Sequence, residues 1–229
     1  MNVVITGAGR GIGLGFVRYY HGRGDQVWAV CRKLSDELRS LQEDGVRVVY
    51  WDVRKAEPEA GGDSLPSRID LLINNAGIYS AHGGSAGDSD QGLASVSMSE
   101  MHEVFDVDCL GALRVVQHLL PALKHQGSVI ANMSSKMGSS ADNTSGGSYA
   151  YRAAKCALVV VSKSMAIDLG PSGVKVITLH PGWVRTDMTE HSGLIDVSES
   201  VAGLTDVIRC IDDYPAGAFV AFDGQQIPY

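Results

Sequence analysis

Seven short runs rich in valine and isoleucine alternate with longer segments of helical period along the 229-residue chain, and this alternation restricts its possible folds more than any other feature. The runs are Val3 to Thr6, Gln26 to Cys31, Val46 to Trp51, Ile69 to Asn74, Ser128 to Met133, Val174 to His180 and Ala218 to Phe222. They are nearly continuously apolar, as expected of strands buried on both faces of a parallel sheet. Between them lie candidate helices at Gly11 to Arg23, Asp36 to Glu43, Met98 to Lys124, Tyr151 to Leu169 and Ser198 to Asp212. The third opens on Ser97-Met98-Ser99-Glu100, a capping-box pattern. The series predicts a single α/β domain over residues 1–229: a Rossmann-type, doubly wound sheet of seven parallel strands with helices on both faces. Two stretches break the rhythm. Ala56 to Ser67, with two prolines and two glycines, occupies the place of a crossover helix, and Ala81 to Ser97 is a long Gly/Ser/Asp-rich loop.

Composition narrows the partners. Lys plus Arg number 19 against 26 Asp plus Glu, a formal charge of −7, and no basic run is present. Nucleic acid and anionic membrane surfaces are therefore excluded as expected partners. No apolar run approaches the length of a membrane span, and the N-terminal MNVVITGAGRG lacks the basic region of a signal peptide. Cys31, Cys109, Cys156 and Cys210 are isolated, without metal-ligand spacing, so no metal site is expected and a cytoplasmic setting fits.

Glycine, at 27 residues, is in excess, and part of the excess falls where chemistry is expected. The turn after the first run, TGAGRGIG, fails the GxGxxG pattern because Ile12 and Leu14 stand where the last glycine would lie; GxxxGxG fits, on Gly7, Gly11 and Gly13. Such a strand-to-helix turn brings backbone amides and the positive end of a helix to a pyrophosphate. The second run closes on Cys31-Arg32 with no acid to accept from a ribose 2′-hydroxyl, and Arg32 suits a 2′-phosphate, which indicates NADP, with NAD the alternative. Tyr151 and Lys155 stand one helical turn apart, so an ammonium lies beside a phenol and favours its ionised form. Gly83 to Gly87 matches a GxSxG elbow, but in a polar loop instead of a strand-to-helix turn, which argues against a hydrolase.

Taken together, TGAGRGIG, Asp52-Val53, NNAG at Asn74 to Gly77, the serines after the fifth run, YRAAK at Tyr151 to Lys155 and PGWVRTDM at Pro181 to Met188 resemble the short-chain dehydrogenase/reductase family over nearly the whole chain. AFDGQQIP, ADNTSGG and the YAYRAAK context look like its carbonyl-reductase branch, related to the sniffer and C-factor proteins. The resemblance implies an NADPH-dependent reduction of a carbonyl to an alcohol on a small-molecule substrate. It implies Tyr151 as general acid, Lys155 as the group that lowers its pKa and bonds the nicotinamide ribose, and a serine hydroxyl that polarises the carbonyl. Ser135, the second serine after the strand, lies 16 residues before Tyr151, whereas Ser139 sits nearer the usual spacing; Ser135 is preferred because a strand end fixes a side chain better than a loop.

The resemblance further implies cofactor contacts from Gly7, Arg10, Gly11, Ile12, Gly13, Asp52, Val53, Asn75, Ala76, Gly77, Pro181, Val184 and Thr186, besides Arg32, Tyr151 and Lys155. A homodimer or homotetramer through the third and fourth helices is expected, since the family commonly pairs them. One departure falls at the centre: Asp108 stands three residues before Gly111, where the family has an asparagine that relays protons to the lysine. An ionised Asp108 would offset the ammonium field on Tyr151; a protonated one would mimic the amide. The alternative function is a dinucleotide-binding sensor or signalling module of the same fold with little turnover.

Overall fold

In the computed structural model, residues 1–81 and 91–229 are described. The seven runs form β1 (Asn2–Thr6), β2 (Gln26–Cys31), β3 (Arg47–Tyr50), β4 (Leu71–Asn74), β5 (Val129–Met133), β6 (Lys175–His180) and β7 (Phe219–Ala221). All neighbouring strands pair in parallel, in the order β3-β2-β1-β4-β5-β6-β7. Successive side chains of a strand point to opposite faces, so each strand feeds two cores. On one face, Val3, Ile5, Ala29 and Ile73 pack with Phe16 and Val17 of α1 (Gly11–Gly22), Leu38 of α2 (Asp36–Glu43) and Leu204 and Val207 of α6 (Val197–Arg209). On the other, Val4, Leu72 and Ile130 meet Val115 and Leu119 of α4 (Gly111–Leu123) and Met165 of α5 (Tyr149–Leu169). Each such fully buried side chain stabilises the fold by roughly 1.5–3 kcal/mol before entropy is subtracted. The strand order reverses between β1 and β4. That reversal opens a crevice at the carboxyl ends of these two strands.

Two departures from the expected elements matter for the site. The expected helix Met98 to Lys124 is not continuous: α3 (Met98–Phe105) passes through a π-helical turn, Asp106–Leu110, before α4 begins. The wider turn re-aims side chains relative to an unbroken α-helix, and Asp108 lies at its middle. Gly111 follows at a close approach, where a Cβ would come within 2.8 Å of the Val53 side chain. The second departure is at the other end of the catalytic layer, where α5 begins at Tyr149, so Tyr151 is already its third residue.

The crossover helix after β3 is absent, as expected, and the chain does something else there. Glu59 N and Asp63 N donate to the carbonyls of Tyr50 and Val48, and the Asp63 carboxylate accepts from Val48 N at 2.7 Å. The segment therefore covers the free edge of β3, which would otherwise present unpaired backbone groups. Trp28 and Trp51 fill the space beneath, their indole nitrogens donating to the carbonyls of Ser64 and Lys55. The GxSxG match at Gly83 to Gly87 lies outside the described residues. Among the described residues no helix is long and apolar enough to cross a membrane, and no group of His, Cys, Asp or Glu could hold a metal ion.

Candidate active site

The crevice between β1 and β4 is held open by a lock of backbone and amide contacts. Thr6 Oγ1, at the end of β1, accepts from the backbone N of both Asn75 and Ala76, at 3.0 and 3.1 Å. In return the Asn75 side-chain amide donates to the carbonyls of Thr6 and Gly7, at 3.1 and 3.3 Å. Gly7 has φ +66, and a Cβ there would sit 2.8 Å from Ala76 Cα. Gly13 serves packing instead, since a Cβ there would lie 2.2 Å from the Gly7 carbonyl and would push α1 away from β1.

The resulting cleft has a volume of about 770 Å³, within the range of ligand sites. Its wall includes the expected Gly7, Arg10, Gly11, Ile12, Arg32, Asp52, Val53, Asn75, Ala76, Gly77 and Thr186, together with Cys31, Lys33 and Ser35. Gly13, Tyr151, Lys155, Pro181 and Val184 do not belong to this wall. The Pro181 carbonyl accepts from Ser200 Oγ, and buried Val184 bridges to Ile195. At the floor of the cleft, α1 starts without a side-chain cap and without an acid in its first turn. Its first amides and the positive end of its dipole are therefore free for an anion. Asp52 is gripped by Arg54, whose Nε and NH2 lie 3.0 and 2.6 Å from the two carboxylate oxygens, and these bonds hold its pKa below the usual carboxylate range.

The inner end of the cleft, at Gly77 and Ile78, meets the titratable cluster. Tyr151 and Lys155 are buried on one face of α5, and Lys155 Nζ sits 5.5 Å from the Tyr151 ring centre. Nζ donates to the Met133 carbonyl at 3.0 Å and lies 3.0 Å from Asp108 Oδ2. Asp108 Oδ1 accepts from Ile78 N at 2.8 Å. The π-helical turn thus delivers a carboxylate to the lysine, and the post-β4 loop fixes it there. Ser135, two residues past β5, accepts from Met137 N at 3.2 Å, and its hydroxyl helps pull down the pKa of the Tyr151 phenol. Ser139 is committed elsewhere, donating to the Pro228 carbonyl and accepting from Asp142 N at 3.1 Å.

Burial dominates the electrostatics of this cluster. It raises the Tyr151 pKa; Lys155 and the Ser135 bond pull it down, and Asp108 pushes it further up. Lys155 thus acts on the phenol in the expected sense, as does Asp108, and burial adds the largest upward influence. Burial also works against the Lys155 ammonium, but Asp108 and Tyr151 outweigh it and the lysine pKa stands raised. Asp108 is itself raised by burial, with Lys155 and the Ile78 amide opposing.

Residues that sequence reasoning did not single out complete the surroundings. Tyr79 packs its ring against that of Tyr151 with centres 5.1 Å apart, and its hydroxyl pairs with Ser148 Oγ at 2.6 Å. Gln91 is buried and accepts from Tyr151 N, and buried Glu100 accepts from Ala81 N. The hydrogen bonds among these contacts span 19 to 69 residues of sequence, and no local pattern announces them.

Residues 1–194 match the short chain dehydrogenase family. The chain belongs to that family. Among its relatives, this short-chain dehydrogenase is 39% identical to C-signal of Myxococcus xanthus over 163 residues, 70% of the chain and 93% of that protein. Its fold superposes on the NADPH-bound carbonyl reductase from chicken fatty liver with a TM-score of 0.84 at 28% identity, covering all of this chain and 98% of the other. The carbonyl reductase Sniffer of D. melanogaster gives a TM-score of 0.82 at 27% identity, with 100% and 99% covered. The expected family and its carbonyl-reductase branch are those found.

Proposed function

We propose that this short-chain dehydrogenase reduces a small-molecule carbonyl to the alcohol with NADPH. The observation that carries the reading is the convergence of Ser135, Tyr151 and Lys155, with Asp108 behind the lysine and Lys155 Nζ against Gly77 of the cleft wall. NADPH, when bound, supplies the hydride that carbonyl reduction requires. The residues present fit it: the uncapped start of α1 offers amides to the pyrophosphate, and Arg32 and Lys33 stand on the wall where a 2′-phosphate would need cations. Asp52, Val53, Gly77 and Thr186 line the same cleft, where Asp52 and Val53 would meet the adenine. Tyr151 gives its phenolic proton to the developing alkoxide, Ser135 donates to the same oxygen, and Lys155 supplies positive field that stabilises the phenolate left behind. The raised Tyr151 pKa keeps that proton in place at neutral pH, which suits the reductive direction.

The test is a turnover screen of aldehydes and ketones with NADPH and NADH, with cofactor binding measured in parallel. Turnover with NADPH preferred by about tenfold or more is expected, and Arg32→Ala should erase most of that preference, since a charge-assisted pair contributes roughly 1.5–3 kcal/mol. Equal affinities of the native protein for the two cofactors would sink the NADP assignment. Binding without turnover of any carbonyl would favour the sensor instead.

The protein is further proposed to pair through α5. Ala153, Val160, Ser164 and Ile167 form an uncharged, outward strip along that helix, with Val160 and Ile167 61% and 64% exposed. A strip of this kind at helical spacing suits a two-fold contact with its own copy. Light scattering at micromolar concentration should give a dimer or tetramer; a monomer mass would contradict it.

A further inference from the structure

We propose that Gln91 is a positioning residue for the acid–base tyrosine, holding the first turn of α5 from 60 residues away; this rests on the reading of Tyr151 as the proton donor. The first amides of a helix lack intrahelical partners, and the residue before the helix ordinarily supplies one through its side chain. Here that device is missing. Ser148 precedes α5 in a left-handed conformation, φ 50, and its side chain makes no cap bond to the helix. Its hydroxyl pairs with Tyr79 instead.

Gln91 acts in place of the cap. Its Oε1 accepts from Tyr151 N at 3.0 Å, the third amide of the helix, where a cap side chain usually bonds. Its Nε2 donates to the Tyr79 carbonyl, and Tyr79 in turn lays its ring against that of Tyr151. At 2% exposure the Gln91 amide has both ends engaged with the tyrosine's immediate surroundings. Backbone and ring of Tyr151 are thereby fixed from the same side. An acid–base group needs such fixing, because a misplacement of about 1 Å can cost on the order of a hundredfold in rate.

Two substitutions and a non-catalytic readout test this. Gln91→Met keeps length but removes both bonds; it is expected to lower kcat about tenfold or more with the NADPH Kd changed less than about twofold. Gln91→Glu keeps an acceptor for Tyr151 N, and burial favours its protonated form, whose hydroxyl can still donate to the Tyr79 carbonyl, so it should recover most of that loss near neutral pH. Hydrogen exchange at the Tyr151 amide should quicken in Gln91→Met whatever the chemistry of the side chain. Native kcat and native exchange in Gln91→Met would overturn the proposal. So would a Gln91→Glu variant no faster than Gln91→Met. If Gln91→Met does not fold, Gln91→Glu decides across a pH series: kcat and Tyr151 amide exchange near native where its carboxyl is protonated and both impaired where it ionises support the proposal, and values that do not change together refute it. Faster exchange with native kcat would also overturn it, Gln91 then holding the helix without positioning the proton donor, whereas native rates in Tyr151→Phe would instead refute the reading of Tyr151 on which the proposal rests.

Discussion

Tyr151→Phe is expected to lower carbonyl turnover by at least about a hundredfold while leaving NADPH binding nearly intact, because it deletes one proton and one oxygen and little else. The phenol is buried, so the substitution leaves the neighbouring ring of Tyr79 in place and creates no cavity of consequence. Both Ser135 and Lys155 act on that hydroxyl and favour its ionised form. Lys155→Ala should do more damage, since it also strands Asp108, a fully buried carboxylate whose counter-ion is that ammonium. Leaving a buried charge unpaired typically costs on the order of 3–5 kcal/mol of stability. Turnover, cofactor affinity and melting temperature measured together separate the two variants. Native turnover in Tyr151→Phe would remove the chemistry proposed here.

Asp108→Asn is expected to move the alcohol-oxidation profile about one unit toward lower pH. The sign follows from the cluster. Oxidation needs Tyr151 as phenolate, its pKa is raised in the folded protein, and the Asp108 charge is one of the influences raising it. Removing that charge while keeping an oxygen for the Ile78 amide lowers the phenol pKa, and the active form then appears earlier on the pH axis. Unit charges several ångströms apart at an effective dielectric near 20 interact by a few kcal/mol, enough for a shift of that size. The opposite movement would show that Lys155 loses its proton once Asp108 is neutral, so that the carboxylate chiefly serves to keep the lysine charged. An unmoved profile would mean a protonated Asp108 in the native protein.

The structure explains why a carboxylate is tolerated at this position. Asp108 is 1% exposed, yet Oδ1 has a backbone amide and Oδ2 an ammonium 3.0 Å away. Burial of a charge is acceptable only with such compensation. The compensation comes from two other elements, the loop after β4 and α5, and neither is near Asp108 in sequence. The same holds for the covered edge of β3, where a Gly/Pro-rich segment substitutes backbone bonds for the missing crossover helix.

The amino-acid sequence by itself determined the seven strands, the parallel sheet and the identity of the glycine turn, because a strand buried on both faces must be continuously apolar and a tight turn onto a helix must spare the Cβ at positions such as Gly7. It also placed Tyr151 and Lys155 on one helical face, since spacing within a helix is a local property. What only the tertiary structure decided are the long-range choices. The π-helical turn that aims Asp108 at Lys155 leaves no mark in the apolar spacing of the segment, and Ser135 and Ser139 differ through groups distant in sequence, Tyr151 beside the one and Pro228 bonded to the other. Gln91 reaches Tyr151 across 60 residues, and Gly13 turned out to face a carbonyl of its own turn. The physical reason is common to all four: a hydrogen bond or a charge pair depends on where folding brings two distant groups, whereas periodicity records only which face of its own element a residue occupies.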